Sequence, residues 1–421
     1  MAERRRGGRA PAKAPPLRAP AVRTVALRAN PVRKAAARAT VRKLAVIDVR
    51  PGAKHESQSG LQMLRPRIFG AYEERAGAKR AAAIVMHPSS NFMGHYLISP
   101  LAARGVCCLG LNGRYVNNDS VLLMERVIQD LGAGVKYLRG LGYDKVVLVG
   151  NSGGAALASF YQAQAEKLSV TRTPDGEPIE LVPDDLPPVQ GIALCAAHAG
   201  RSRLFGEWLD ASVIDESDPD GVERELDVYD ACNGPPYSAA FLARFRAAQA
   251  ARREKIENWV RRRLEFLRAG PQRARMKNAD QFHSHDQAFV IYRTHADPRF
   301  LDLSIDANDR APGSLWGDPR EVNYAASSMA RFTTLGAFLS QWSSASQADG
   351  PENLARTSVP VLFMEYTADQ STFPSTAKLW LEAARERARA HRIARGNHYL
   401  AGQPKLVDEV ADLIADWTRS L

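Results

Sequence analysis

The run Lys145-Val-Val-Leu-Val149 enters Gly150-Asn-Ser-Gly-Gly154 and leaves it directly into Ala155-Ala-Leu-Ala-Ser-Phe160. A β-branched apolar strand followed at once by a tight small-residue turn and a helix leaves few architectures open. Repeated at this spacing, strand and helix require right-handed crossovers and parallel pairing. The rest of the chain keeps that rhythm. Ala81–Met86, bounded by His87-Pro88, reads as a buried parallel strand, as do Val106–Leu111, Gly191–Cys195 and Val359–Met364. The proline of the last run stands near its start, where a missing N–H is tolerated. Ala388–Ile393 is a sixth candidate, interrupted by arginines. Helical patterns lie at Leu122–Leu138, stopped at Gly140, at Ala155–Leu168, and at the closing Pro404–Leu421. The expected fold is α/β, a doubly wound, mostly parallel sheet.

Between His198 and Ser358 the alternation breaks, for a stretch too long to be a simple connection. Asp215–Glu225 is acidic and loop-like. Pro236–Ala269 reads as one or two helices with Phe241, Phe245, Ile256, Trp259, Val260, Leu264 and Leu267 as the apolar stripe, ended by Gly270-Pro271. The clusters Arg252-Arg253 and Arg261-Arg262-Arg263 alternate with Glu254, Glu257 and Glu265, the pattern of a solvated helix face. A phosphate-bearing partner is the competing reading. The expected organisation is a basic tail over 1–43, a first core segment over 44–199, an insertion over 200–355 and a second core segment over 356–421.

Charge is unevenly placed. Residues 1–43 hold thirteen Lys or Arg against one acid, Glu3, a surplus of twelve positive charges, whereas the whole chain carries +11. The body from Leu44 onward is therefore near neutral, and no nucleic-acid binding is expected of it. Rich in Ala and Pro and free of aromatic residues, the tail cannot bury a core and is expected to be disordered. A neutral extension, an organelle-targeting peptide and an arm for acidic surfaces stand as its three readings. No apolar run reaches the roughly 18 residues that span a bilayer. Cys107, Cys108, Cys195 and Cys232 show no CxxC spacing, which suits neither a disulfide framework nor a zinc site and favours a reducing, cytoplasmic compartment.

Chemistry concentrates at three places. Ser152, on a strand-to-helix turn, would sit in strained backbone with its Oγ above the carboxyl ends of the strands, and the helix start behind it offers unpaired N–H groups. A serine hydroxyl needs a base. His398, in Gly396-Asn-His-Tyr399 between the last strand and the closing helix, falls on the same edge of the sheet. The imidazole needs a carboxylate. Asp369 follows the fifth strand and is preferred to Glu365, which ends it. An oxyanion hole calls for two donors. The Gly153 N–H is one. Because Pro88 has no N–H, Ser89 is the first residue beyond His87 that can supply the other, and His87 is expected to buttress that loop.

On His87-Pro88 after a strand, Gly150-Asn-Ser-Gly-Gly154, Val359–Asp369 and Gly396-Asn-His398, the chain resembles the α/β-hydrolase family over about residues 64–200 and 355–421. The resemblance implies Ser152 as nucleophile, Asp369 as acid and His398 as base, in the family's chain order. His-Pro stands where the family usually has His-Gly, which leaves the second oxyanion donor open. The insertion matches no named cap, so no substrate is carried over; by the resemblance it would lid a pocket.

Lesser candidates complete the reading. His283 and His285 with His295 and Asp297 offer ligand types without a third ligand at firm spacing, so no metal is expected, nor any cofactor. Trp208, Leu209, Trp316 and Tyr324 could line an apolar pocket or form the insertion's core. The expected activity is hydrolysis of a small-molecule carboxylic ester, with thioester or amide open, through an acyl-enzyme on Ser152. Hydrolysis of a carbon–carbon bond by the same triad and a non-catalytic ligand-binding role are the alternatives.

Overall fold

The computed structural model describes residues 40–51, 66–75, 77, 80–270 and 285–421. Its main sheet is built from β1 (Thr40–Asp48), β2 (Arg67–Arg75), β3 (Ala81–His87), β4 (Cys107–Asn112), β5 (Lys145–Ser152), β6 (Ile192–Ala197), β7 (Val361–Tyr366) and β8 (Ala388–Ile393). Their order across the sheet is β1-β2-β4-β3-β5-β6-β7-β8. β2 runs antiparallel to both neighbours, and the pairs from β4 to β8 are parallel. The expected doubly wound, mostly parallel sheet is what the chain forms.

Helices cover both faces, which is why the central strands are apolar throughout rather than alternating. Ala82, Ile84 and Met86 of β3, with Val146 and Leu148 of β5, share one core with α2 (Met124–Gly140) and α3 (Gly154–Glu166). The intervening Ala83, Val85, Val147 and Val149 share the opposite core with α1 (Ile98–Ala103) and the closing helix α7 (Pro404–Ser420). α6 (Pro374–Ala384) joins the first core through Trp380. Pro360 lies just before β7 and still serves the sheet, because its carbonyl accepts from the Ile192 N–H at 3.1 Å.

Two sequence expectations shift and one narrows. Thr40–Lys43, read as the end of the basic tail, are the start of β1, and the rest of that tail lies outside the described residues. Their charges are paired across the strand, Arg42 with Glu73 at 3.2 Å and Lys43 with Glu74 at 2.7 Å. After the short α4 (Arg201–Trp208), the helical insertion segment, expected as one or two helices, is a single α5 (Ala239–Arg268), its start capped by the Ser238 side chain accepting from the Phe241 N–H. Arg252 of that helix is not solvated. It is buried and donates to the Glu216 carboxylate and to the carbonyls of Asp210 and Tyr292. Among the described residues no helix is long and apolar enough to cross a membrane.

One core carboxyl makes the fold's stability depend on pH. Glu125, in the first turn of α2, is fully buried and bonded to the Ser340 hydroxyl at 2.7 Å and the Gln347 amide at 3.1 Å. Burial pushes its carboxyl up to about 7, against the lowering effect of those bonds. Between the ordinary 4.5 and 7 the unfolded chain is ionised while the folded one holds the proton, so stability falls as pH rises through that window. Glu125→Gln removes the effect. Relative to wild type it should gain about 2–3 kcal/mol between pH 5 and pH 8, read from urea midpoints at the two values.

Candidate active site

Ser152 ends β5 at the point where the chain turns into α3, and its φ of 58° places it in the left-handed region that non-glycine residues rarely occupy. Small neighbours make the turn possible. A Cβ on Gly150 would lie 2.5 Å from Ala155 Cα, and one on Gly154 would lie 2.3 Å from the Met86 carbonyl oxygen of β3. The sequence Gly150-Asn-Ser-Gly-Gly154 therefore encodes a sharp bend pressed against the neighbouring strand. Asn151 anchors it: its amide donates to the Cys195 carbonyl at 3.0 Å, and its Oδ1 faces His95 Nε2 at 3.0 Å.

Asp369 and His398 come from the loops that follow β7 and β8. Both are buried, and His398 Nδ1 lies 2.7 Å from Asp369 Oδ2. Asp369 is held on every side. Its Oδ1 accepts from the N–H and hydroxyl of Ser371 and the N–H of Thr372, and its Oδ2 accepts from the Thr372 hydroxyl at 2.6 Å. Burial alone would raise this carboxyl. His398, the Thr372 hydroxyl and His198 outweigh it and hold Asp369 down at about 2. Glu365, the rival carboxylate, points elsewhere and pairs with Arg392 at 2.9 Å.

The nucleophile candidate and the pair meet through their neighbours. The Ser152 carbonyl accepts from the His198 N–H at 3.2 Å, and the His198 ring stands 5.3 Å from that of His398. Tyr399 stands edge-on to His398 at 4.6 Å; burial raises its phenol, and the Ser152 hydroxyl works against the rise. His398 Nε2 is buried without a hydrogen-bond partner among the described residues. The Ser152–His398 bond is thus not made here. Hydrogen bonds of this kind are often loose before substrate arrives.

Ser89 is placed differently from expectation. Its N–H is directed at His87 Nδ1 at 3.2 Å, and the Ser90 N–H reaches the same atom at 2.9 Å. The ring of His87 does buttress this loop, and in doing so it occupies the donor that Ser89 was expected to offer. The Ser89 hydroxyl accepts from Arg201 at 2.5 Å. Gly153, the other expected donor, is the N-cap of α3.

His198 and Tyr399 were missed in the sequence. His198 follows β6, near whose end Ala196 takes a φ of 44°. Burial, followed by the neighbouring His398, drives His198 down to about 3, so the ring is neutral. Behind it the insertion contributes Trp208, 6.0 Å from His198, packed edge-on against His295, Phe300 and Trp316 at 5.1–5.6 Å. Neither ring nitrogen of His295 nor the Trp208 Nε1 has a hydrogen-bond partner among the described residues. Leu209 belongs to the insertion's core, and Tyr324 stacks on Arg293 at 4.3 Å and accepts its hydrogen bond. Among the described residues no metal-ligand cluster forms near His295: Asp297 is engaged by Arg299 and Arg246, and His283 lies outside the described residues. A separate groove of about 520 Å³, lined by Ile256, Trp259 and Phe289, contains none of the triad candidates.

No protein-family model matches this chain, and no curated protein matches it. Among solved structures it is similar to the esterase domain of a Rhodothermus marinus protein, at 11% identity and a TM-score of 0.43 over 90% of this chain and 98% of that one. A Paleococcus ferrophilus monoacylglycerol lipase is similar at 13% identity and a TM-score of 0.41, covering 84% and 98%. An alpha/beta fold family hydrolase from Bacillus anthracis is similar at 13% and 0.39, covering 90% and 99%.

Proposed function

We propose that this chain is a serine hydrolase of the α/β-hydrolase class that cleaves a carboxylic ester through an acyl-enzyme on Ser152. The observation that carries the reading is the state of His398: Nδ1 is fixed on a buried carboxylate, Nε2 is left without a partner among the described residues, and the ring stands 5.3 Å from that of His198, whose N–H is bonded to the Ser152 carbonyl. A histidine arranged this way has its tautomer set by the carboxylate and presents a basic nitrogen.

In this reading the Ser152 side chain turns to His398, and its Oγ attacks the ester carbonyl as His398 Nε2 takes the proton. Asp369 stabilises the imidazolium. The oxyanion gathers against the Gly153 N–H at the start of α3, where the helix dipole favours negative charge. Collapse expels the alcohol, which receives the proton from His398, and water repeats the sequence to free the acid. The aromatic wall from His198 to Trp208 and Trp316 supplies an apolar surface for the acyl or alcohol group, with residues 200–355 as the cap.

A fluorophosphonate should label the protein once, with the adduct on the peptide that carries Ser152. A panel of p-nitrophenyl esters of increasing chain length should then show turnover with a chain-length optimum. Labelling elsewhere, or no turnover of any ester, removes the proposal.

A further inference from the structure

Three facts about His87 converge on a role in the reaction. It is the last residue of β3, the strand beside the nucleophile's own, so its side chain emerges next to the turn at Ser152. Its Nδ1 accepts from two backbone N–H groups, Ser89 at 3.2 Å and Ser90 at 2.9 Å. An acceptor nitrogen carries no proton, so the neutral ring has its single N–H at Nε2. That Nε2 faces the residue after the nucleophile, since a Cβ built on Gly153 would lie only 2.7 Å from it, and 3.2 and 3.6 Å from the adjoining ring carbons. Only glycine leaves room for the ring there.

The loop explains why a side chain is needed. Pro88 has no N–H, and those of Ser89 and Ser90 point back at the ring. The first three residues past β3 therefore present no free backbone donor toward Gly153. What they do present is an imidazole N–H, held from behind by two hydrogen bonds. We infer that the His87 Nε2–H is the second oxyanion donor, acting with the Gly153 N–H on the carbonyl oxygen of the Ser152 adduct. The inference rests on the serine-hydrolase reading.

Its surroundings keep the donor neutral. Burial, then Arg201, His198 and His398, each disfavour the cation and put this histidine well below its ordinary 6.5. A neutral donor keeps the same tautomer through the working range, because protonating Nδ1 would break both loop bonds. Arg201, clamped between Asp119 at 2.9 Å and the Ser89 hydroxyl at 2.5 Å, fixes the loop from its other side.

Two substitutions separate donor from buttress. In His87→Asn the side-chain oxygen takes the place of Nδ1 and keeps the loop bonds, but the distal donor is gone. In His87→Gln an amide N–H returns near the position of Nε2. His87→Asn should lose about 10²–10³-fold in kcat with KM within threefold, and His87→Gln should recover at least tenfold of that loss. His87→Asn within threefold of wild type in kcat would leave the ring a loop support only and overturn the inference. In case the variants do not fold, the wild-type protein carrying ¹⁵N-histidine gives a second reading. The His87 Nε2–H proton should move downfield when the fluorophosphonate adduct forms, and an unmoved resonance overturns the inference. If the wild type forms no adduct, the hydrolase reading itself is lost. If it does, and only the His87 results fail, that reading stands without this donor.

Discussion

Ser152→Ala should abolish fluorophosphonate labelling and lower kcat for the best ester by about 10⁶-fold, the loss expected when one member of a concerted triad is removed. His398→Ala should cost about as much, since without Nε2 the hydroxyl is a poor nucleophile at neutral pH. The sharper test is their combination. A nucleophile and its base act as one device, so the double variant should be no slower than either single variant within a few-fold. Losses that multiply would mean that the two side chains act independently and that Ser152 is activated by something else. Tyr399, whose phenol the Ser152 hydroxyl influences, is the group to examine in that event.

The largest stability effect is expected inside the insertion. Arg293 and Asp210 are fully buried and paired at 2.8 Å. The same carboxylate accepts from Asn323 at 2.7 Å and from the N–H and hydroxyl of Ser212, and Arg293 also donates to the Tyr324 hydroxyl at 2.6 Å. Such a network gains little over an apolar core, but removing Asp210 leaves the buried Arg293 charge without its close ion pair, with only Asp227 at 3.9 Å and the Tyr324 hydroxyl to compensate. Asp210→Ala should therefore destabilise the protein by about 3–5 kcal/mol, read from chemical denaturation. Replacing Asp210 and Arg293 together by apolar residues should restore much of that. If Asp210→Ala costs under 1 kcal/mol, water reaches this network in solution.

How much of this was legible in the sequence follows from where each instruction is written. The Ser152 turn is a local matter: a β-branched run, three glycines and a helix start fix it within a dozen residues. Asp369 and His398 were readable because each follows a strand, and the ends of parallel strands share an edge. β1 was hidden because Arg42 and Lys43 continue a long basic composition, and their partners Glu73 and Glu74 stand some thirty residues away. Arg252 looked like a surface charge for the same reason, its acceptors being carbonyls and a carboxylate far along the chain. Nothing near His198 announces a place in the site. The Ser89 donor failed as an expectation because counting N–H groups along a loop does not reveal that a ring behind the loop has taken them.

The loop that carries Asp369 is bound to the insertion as well as to the sheet. Asn308 donates to the Asp369 carbonyl at 2.9 Å, and the Asp309 N–H donates to the Thr367 carbonyl at 2.7 Å. The insertion and the Asp369 loop are thus riveted together at this corner. If the insertion lids the site as proposed, a hinge that lifted all of it would shear those bonds and loosen the carboxylate just as a guest molecule entered. An entrance that spares the carboxylate would then have to open at some other stretch of the insertion, while the segment around Asn308 stays seated.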